Sequence, residues 1–287
     1  MSRTVSIVGA GRVGQTLGKR LRQLGWCIGA VVTRSKKSAR SAVRSIGAGT
    51  PHSKLTPEIL GADLILMTTP DGALRDVAKV LPRARSVNYK KKIFLHTSGA
   101  LDRSVLSPLA RRGASTGSMH PMQTFSGLES TRLEGVIFTI EGDRAAFHAA
   151  TQIARSLGGI PVGIRGKDKP AYHAAGALVA GHGLALVEAA TQTLARIGFS
   201  RSRALEALLP LIRQMLDNYE RLGPHAAWTG PVSRGDFATV TKHGRALRRY
   251  PPEFGDTYRA LSLLAARVLS RRPAATRKEI LKALQRS

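Results

Sequence analysis

The feature that most limits how this chain can fold is a glycine-rich turn placed directly after its first apolar run. A short β-branched strand at 5–8 leads into the turn, and residues 12–24 then have helical spacing up to Gly25. In this context the first glycine permits a tight turn, the second lets a pyrophosphate approach the backbone, and the third lets the helix pack against the sheet. The alternative is a glycine-rich turn that binds nothing. The predicted phosphate-binding turn is Gly9-Ala10-Gly11-Arg12-Val13-Gly14.

Apolar runs alternate with helical patterns as far as about residue 166. Runs that are apolar throughout indicate strands buried on both faces, and their alternation with helices indicates a parallel, doubly wound α/β sheet, a Rossmann fold. We therefore predict a dinucleotide-binding domain over 1–166. The strands are expected at 5–8, 28–33, 63–68, 92–96, 135–140 and 160–164, with a further strand ending at 118–125.

Beyond residue 166 the pattern predicts helices alone, so we expect an all-α domain over 167–287. A long helix is predicted at 170–197, followed by helices at 202–219, 255–269 and 276–284. The long helix carries too many polar groups for a membrane span, and a buried helix fits its composition better. Its small residues permit close packing, which would form either a core or a dimer seam. We predict a homodimer through 170–287.

The end of the second strand bears on the choice of dinucleotide. Folds that prefer NAD place a carboxylate there for the ribose 2′-hydroxyl, whereas this chain has Thr33, Arg34 and Ser35, followed by Lys36 and Lys37. Arginine and lysine pair with a 2′-phosphate, and the hydroxyls can donate to it. The sequence therefore favours NADP, and the alternative is that these cations are part of a basic surface.

The predicted strand at 63–68 is followed by Thr69, Pro70 and Asp71. Ligands of doubly wound sheets lie beyond the carboxyl ends of the strands, so these residues are expected near the cofactor's ribose. An ordinary loop in which Asp71 is the N-cap of the next helix is the alternative, and both interpretations can hold together.

Three residues are candidates for proton transfer. Ser98, with Gly99 beside it, follows the predicted strand at 92–96; His120 lies at the end of the next strand; and His173 is near the start of the long helix. Histidine is the side chain best suited to proton transfer near neutral pH. The alternative is that His120 and Pro121 only shape a loop.

The predicted helical domain supplies the candidates for substrate binding. His182 lies nine residues after His173, on nearly the opposite helix face, so the two cannot chelate one metal, and we expect no metal site. Arg234 and Asp236 lie in a turn-rich segment, where Arg234 suits a carboxylate or phosphate. The alternative for this segment is a capping loop in which Asp236 starts a helix.

Composition narrows the class of protein further. The net charge of +27 attracts anions, but aromatic residues make up only 5% and the basic residues form no segregated stripe, which argues against specific nucleic-acid recognition. The single cysteine, Cys27, is expected to be a small buried side chain in a reducing compartment. No basic-then-apolar leader precedes the first strand, so we expect a cytoplasmic protein.

Several motifs together resemble a bacterial family that joins an NADP-binding Rossmann-like domain to a C-terminal helical domain of unknown function, of the 6-phosphogluconate dehydrogenase C-terminal-like kind. More distantly, the chain is similar to pyrroline-5-carboxylate reductase, 6-phosphogluconate dehydrogenase and ketopantoate reductase. The resemblance covers most of 3–270. Family members usually have Ala-Ser-Asn where this chain has Ala180-Gly181-His182, and in related dehydrogenases that Asn helps to hold the substrate. The motifs are GAGRVG, TTPD, HTSGA, SMHPMQTF, YHAA and GPVSRGD.

The resemblance implies an NADP-dependent oxidoreductase that is often dimeric through its helical domain. Together with the motifs, it predicts hydride transfer between NADP(H) and a small anionic carbonyl or imine substrate. The altered Asn position keeps open a second interpretation, an NADP-binding sensor or scaffold protein without turnover. A nucleic-acid-binding protein, suggested by the charge alone, is the third.

Overall fold

The computed structural model describes residues 3–81, 88–127 and 131–285. Two compact units divide the chain, Met1–Gly181 and His182–Ser287. The division lies C-terminal to the boundary predicted at residue 166. The reason is that residues just beyond 166 belong to the sheet unit: Lys169 is buried there and donates to Ser118 of a central strand. The predicted class, a Rossmann domain followed by helices, is confirmed.

The first unit contains an eight-stranded sheet of order β3-β2-β1-β4-β5-β6-β7-β8. All neighbouring strands are parallel except β6 and β7, which are antiparallel. The described parts of the connection between β6 and β7 contain no helix, and such a connection favours an antiparallel return. The strands are β1 Thr4–Val8, β2 Cys27–Val32, β3 Thr50–His52, β4 Leu64–Met67, β5 Ile93–His96, β6 Ser115–Pro121, β7 Ile137–Gly142 and β8 Ile160–Gly163.

Helices connect the strands and cover both faces of the sheet with two apolar clusters. One cluster is centred on Ile7, Leu66 and Phe138, and the other on Ile65 and Phe94, all of them fully buried. The alternation along β4 explains this, because Ile65 and Leu66 point to opposite faces. The helices of this unit are α1 Arg12–Gln23, α2 Lys36–Ile46, α3 Asp71–Val80, α4 Ser107–Ala110, α5 Arg144–Ser156 and α6 Lys169–Ala177.

The second unit is helical in its described part. Gly223, with φ of +75°, interrupts the helical backbone of the longest helix, which runs further than the predicted 202–219. One helix, Phe237–Leu247, was expected only in the alternative interpretation of its segment; Asp236 caps it by accepting from the backbone N–H of Thr239 at 3.1 Å. The helices are α7 Gly183–Arg196, α8 Arg201–Ala227, α9 Phe237–Leu247, α10 Pro252–Leu269 and α11 Pro273–Gln285.

The long helix predicted at 170–197 differs from expectation in two ways. A π-helical turn, Leu178–His182, separates α6 from α7. The expected burial is also wrong for the single chain, since Leu178, Val179 and Leu184 are 61%, 79% and 70% exposed. The whole helical stretch, Gly166–Arg196, is long and apolar enough to cross a membrane by length and composition alone.

Cys27 is exposed, which corrects the expectation of a buried thiol. Cys27 is the first residue of β2. The side chains of this strand are exposed at its start and buried over its last three residues. A small apolar side chain at the first residue of a strand can therefore be exposed even when the rest of the strand is in the core.

Candidate functional site

The glycine-rich turn has the geometry that its spacing predicts. Gly9 has φ of +90°, and a Cβ there would lie 2.5–2.7 Å from atoms of Thr69, so only glycine fits. A Cβ on Gly14 would lie 2.4 Å from the hydroxyl oxygen of Thr68. That hydroxyl donates to the carbonyl of Gly9 at 2.8 Å. The turn is thus held against the end of β4 by close packing.

The backbone of this turn is open to an anionic group such as a pyrophosphate. A Cβ on Gly11 would meet only the carbonyl oxygen of Gly9, at 3.8 Å, so the backbone there is open to a ligand. Gly11 is the N-cap of α1, no side chain caps that helix, and its first turn, which begins with Arg12 and Val13, contains no acidic residue. The first N–H groups of α1 and its positive dipole end remain available for an anion.

The carboxyl end of β2 is cationic and open. Thr33 is half-buried, and its hydroxyl donates to the carbonyl of Ser35 at 3.0 Å. Arg34 is exposed, and Ser35 caps α2, whose first residues are Lys36 and Lys37. The part of the chain that the structure describes places no carboxylate on this loop, so its donors and cations suit a phosphate better than a ribose hydroxyl.

Asp71 is the first residue of α3 rather than its N-cap, which is Pro70. The N-cap alternative is therefore wrong. The Asp71 carboxylate instead accepts the hydroxyl proton of Ser98 at 2.8 Å, so it is directed to the loop that follows β5. Thr69 lies beside Gly9, and its hydroxyl oxygen is buried without a hydrogen-bond partner in the structure. Such an atom is typical of a site that a ligand or water completes.

Ser98 uses all its polar atoms to order the loop after β5. Its hydroxyl donates to Asp71 and accepts from the backbone N–H of Leu101 at 2.9 Å. Its own N–H donates to Nδ1 of His96 at 3.2 Å. Its carbonyl accepts from Nζ of Lys169 at 3.0 Å. A hydroxyl with this many partners is suited to holding a loop in place rather than to giving up a proton.

His96, which the sequence analysis did not select, is a buried structural histidine. Because Nδ1 accepts from Ser98, the proton of the neutral ring lies on Nε2, which is 3.2 Å from the carbonyl of Asp102. Burial lowers its pKa to about 3, and the nearby Lys169 ammonium acts in the same direction. The ring therefore stays neutral at physiological pH. Its two hydrogen bonds hold the loop after β5 at both Ser98 and Asp102.

His120 is the best candidate for proton transfer. Its Nδ1 lies 2.9 Å from the hydroxyl of Tyr172, and its ring meets that of His173 edge to face at 5.8 Å. Burial lowers the pKa of His120 to about 4, with contributions from Lys169 and His173. Burial also raises the pKa of Tyr172. A neutral imidazole beside a protonated phenol results.

Gly99 lets the two histidines come together. A Cβ at this position would lie 2.5 Å from Cδ2 of His173 and 2.8 Å from Nε2 of His120. Any side chain here would force both rings away. The sequence predicted Gly99, His120 and His173 each as a candidate site residue, and the structure brings the three together. Tyr172 was missed because nothing in the spacing distinguishes it from an ordinary helix residue.

A cavity of about 570 Å³ opens beside this group. Its walls include His120, His173, Met122, Thr124 and Gly176. The cavity combines a largely apolar lining with two imidazoles, which is how small-molecule sites are usually built. It adjoins the end of β6, and the glycine-rich turn follows β1; since both strands run parallel, the cavity and the turn lie at the same edge of the sheet.

The remaining predicted site residues belong to the helical unit. His182 is exposed and ends the π-helical turn. Asp236 is committed to capping α9, as the alternative interpretation of its segment predicted. Arg234 is exposed on a separate cavity of about 530 Å³, which Arg271 and Arg272 also line. No group of three His, Cys, Asp or Glu among the described residues is placed to hold a metal ion.

Two protein families match the sequence, one after the other along the chain. The Rossmann-like domain family matches residues 2–121, and DUF2520, a domain of unknown function, matches 136–265. The chain joins a Rossmann-like domain to a DUF2520 domain. This confirms the part of the resemblance that joins a Rossmann-like domain to a C-terminal domain of unknown function. Among curated proteins, no sequence matches.

Solved structures share the fold of this Rossmann-like and DUF2520 chain at low sequence identity. A proposed NADP oxidoreductase from Bacteroides fragilis is 21% identical, with a TM-score of 0.77, over 96% of this chain and 98% of that one. A reductive aminase from Aspergillus terreus in complex with NADPH and ethyl-5-oxohexanoate is 15% identical, with a TM-score of 0.67, over 99% and 94%. A pyrroline-5-carboxylate reductase from Coxiella burnetii is 14% identical, with a TM-score of 0.58, over 100% and 97%.

Proposed function

We propose that this protein is an NADP-dependent oxidoreductase that transfers a hydride between NADP(H) and a small carbonyl or imine substrate. The observation that carries the proposal is an open phosphate-binding turn at the same sheet edge as a cavity lined by His120 and His173. The NADPH of the reductive aminase complex and the reductase activities named for the other structures support the class of reaction.

The chain's own residues would hold the dinucleotide at three places. Gly9, Ala10 and Gly11 with the N-terminus of α1 receive the pyrophosphate. Thr33, Arg34 and Ser35 receive the 2′-phosphate. Thr69, with its unpartnered hydroxyl, lies beside the turn and supplies a further hydrogen bond. When bound, NADPH supplies a hydride, which the protein itself cannot provide.

His120 and Tyr172 supply the proton that a reduced carbonyl or imine requires. The neutral ring of His120 can take a proton at one nitrogen and give one from the other, and the Tyr172 hydroxyl contacts Nδ1. His173 also lines the cavity and meets the His120 ring edge to face, and it orients the substrate. Because the pKa of His120 is about 4, the ring does not carry a charge that would repel a cationic iminium substrate near pH 7.

The anionic character of the substrate is a further part of the proposal. Arg234 would anchor a carboxylate or phosphate, and His182 would stand where relatives of the family usually have Asn. Arg234→Ala should raise KM for an anionic substrate by about tenfold and leave KM for an uncharged analogue unchanged. Equal effects on both analogues would remove this role from Arg234.

Substrate-dependent oxidation of NADPH tests the proposal. The assay uses a panel of keto acids, aldehydes with added amines, and cyclic imines, with His120→Gln as the inactive comparison. The proposal expects oxidation with at least one compound by the wild type and a loss of about a hundredfold or more in the variant. NADPH binding without oxidation by any compound would instead support a sensor or scaffold, the second candidate.

We further propose that the protein is a homodimer through its helical unit. On α8, Leu211, Met215, Tyr219 and Leu222 recur at helical spacing and are between 50% and 66% exposed. Such a stripe is costly in water, and a second copy would bury the same stripe in both chains. Light scattering should give about twice 30.7 kDa. Met215→Glu should reduce this to the monomer mass, whereas Arg213→Glu, on the opposite helix face, should not.

The cytoplasmic location predicted from the sequence is part of the same proposal. The apolar stretch Gly166–Arg196 then serves assembly rather than a membrane. Cell fractionation separates the two possibilities: the protein should remain in the supernatant after high-speed centrifugation. Recovery in membranes that resist an alkaline carbonate wash would show that this stretch is inserted.

A further inference from the structure

Lys169 is the most unusual charged residue of the sheet unit. Its side chain is fully buried at the start of α6. Its Nζ donates to the carbonyl of Ser98 at 3.0 Å and to the hydroxyl of Ser118 at 2.9 Å. None of the ion pairs found among the described residues includes it.

A buried ammonium without a directly paired carboxylate is expensive, because the lost hydration of the charge is only partly replaced by two neutral acceptors. An apolar residue of the same length would fill the space without that cost. A lysine in this place therefore indicates a role that depends on its two hydrogen bonds or its charge.

The two acceptors lie on the two segments that form the candidate site. Ser98 precedes Gly99, which lies so close to the rings of His120 and His173 that a Cβ there would meet both. Ser118 lies on β6, two residues before His120. One side chain thus links the loop after β5 to the strand that carries His120, and it does so from the same helix that presents His173.

We propose that Lys169 is a positioning residue that fixes the loop of Ser98 and Gly99 against β6 and thereby sets the distance between His120 and His173. It does not contact the cavity, so it acts through these neighbours. This inference rests on the proposed function only in taking His120 as the proton carrier.

The charge of Lys169 acts on the same residues. Burial lowers its own pKa to about 8, and nearby carboxylates oppose the shift, so it is mainly protonated at pH 7. Its ammonium lowers the pKa of both His120 and His96. The titratable groups that face Lys169 and His120 from the surrounding elements are Asp71, His96, Asp102, Glu141, Tyr172 and His173.

Lys169→Met tests the proposal, with Lys167→Met as the matched control. Lys167 is exposed, lies two residues earlier and makes none of these contacts. NMR titration of the histidine ring protons gives the pKa of His120, and the Gly99 amide resonance reports the loop. Both measurements are independent of turnover, so they stand even if no substrate oxidises NADPH.

We expect Lys169→Met to raise the pKa of His120 towards that of a free histidine, to shift the Gly99 resonance, and to lower kcat by about tenfold with little change in the KM for NADPH. Lys167→Met should change none of these. If the methionine variant does not fold, Ser118→Ala, which removes one of the two acceptors, should give a smaller shift of the Gly99 resonance. A folded variant of either kind with wild-type His120 pKa and Gly99 resonance would overturn the proposal.

Discussion

The hydroxyl of Tyr172 lies 2.9 Å from Nδ1 of His120, and the two rings meet at an angle of 89°. A second pair of the same kind exists on the helical unit, where the hydroxyl of Tyr258 lies 2.9 Å from Nδ1 of His243 and the rings meet at 83°. His120 of the first pair lines the cavity of the candidate site, and the second pair serves as a control for the effect of such a contact away from that cavity.

Tyr172→Phe should lower turnover by about ten- to a hundredfold, because it removes the partner that orients the His120 ring and can exchange a proton with it. Tyr258→Phe removes an equivalent hydroxyl and should leave turnover unchanged. In urea denaturation Tyr172→Phe should lose more stability than Tyr258→Phe, because its contact is partly buried and the contact of Tyr258 is exposed. Equal turnover in the two variants would show that the contact at His120 is only structural.

Acid should destabilise the first unit through its buried histidines. Burial holds the pKa of His120 at about 4 and that of His96 at about 3, whereas an unfolded chain titrates near 6.5. Between these values the unfolded chain binds protons that the folded chain does not. The two histidines therefore leave the free energy of unfolding undiminished above about pH 6.5. They lower it as the pH falls from there towards 4.

The free energy of unfolding should fall between pH 7 and pH 4 by up to about 3 kcal/mol less in His120→Gln than in the wild type. His148→Gln, an exposed histidine on α5, controls for the exchange of a histidine as such. The measurement is the free energy of unfolding in urea at several pH values. A slope in His120→Gln as steep as in the wild type would mean that the ring is already charged in the folded protein.

The glycines of the first turn should separate folding from binding. A Cβ on Gly14 would clash with the Thr68 hydroxyl, at 2.4 Å. Gly14→Ala should therefore lower the free energy of unfolding by about 1–3 kcal/mol and the melting temperature by several degrees. A Cβ on Gly11 meets nothing closer than 3.8 Å, so Gly11→Ala should fold normally but bind NADPH about tenfold more weakly or worse. Gly255→Ala, where a Cβ meets nothing within 4 Å, is the control.

Differential scanning calorimetry and NADPH titration on the same three variants give both quantities. Normal NADPH affinity in folded Gly11→Ala would mean that no ligand approaches that backbone, and the turn would then be structural.

The periodicity of the first half made the sheet predictable. The predicted strands at 5–8 and 92–96 match β1 and β5 to within one residue, because buried strands are rich in apolar and β-branched residues. The short strand β3, at Thr50–His52, leaves no apolar run, since two of its three residues are exposed. β3 forms because it pairs in parallel with the edge of β2, and such pairing depends on tertiary structure rather than on the local sequence.

The parts of the candidate site that lie at strand ends and glycines were predictable from the sequence. The parts that depend on how α6 packs beside those strand ends were not. Gly99 and His120 follow strands, so their position could be inferred from topology. Lys169 lies among Lys167 and Asp168, where the sequence indicates only a charged linker. Its burial depends on α6 packing beside Ser98, and no local pattern encodes that.

Titration of the protein with NADPH and NADH, followed by cofactor fluorescence, tests the central claim most directly. NADPH should bind at least about tenfold more tightly than NADH, because Arg34 lies exposed at the end of β2 without a carboxylate beside it on that loop. Arg34→Ala should remove most of this preference, whereas Arg277→Ala, an equal loss of charge on α11, should preserve it. Binding of NADH as tightly as NADPH by the wild type would contradict the account.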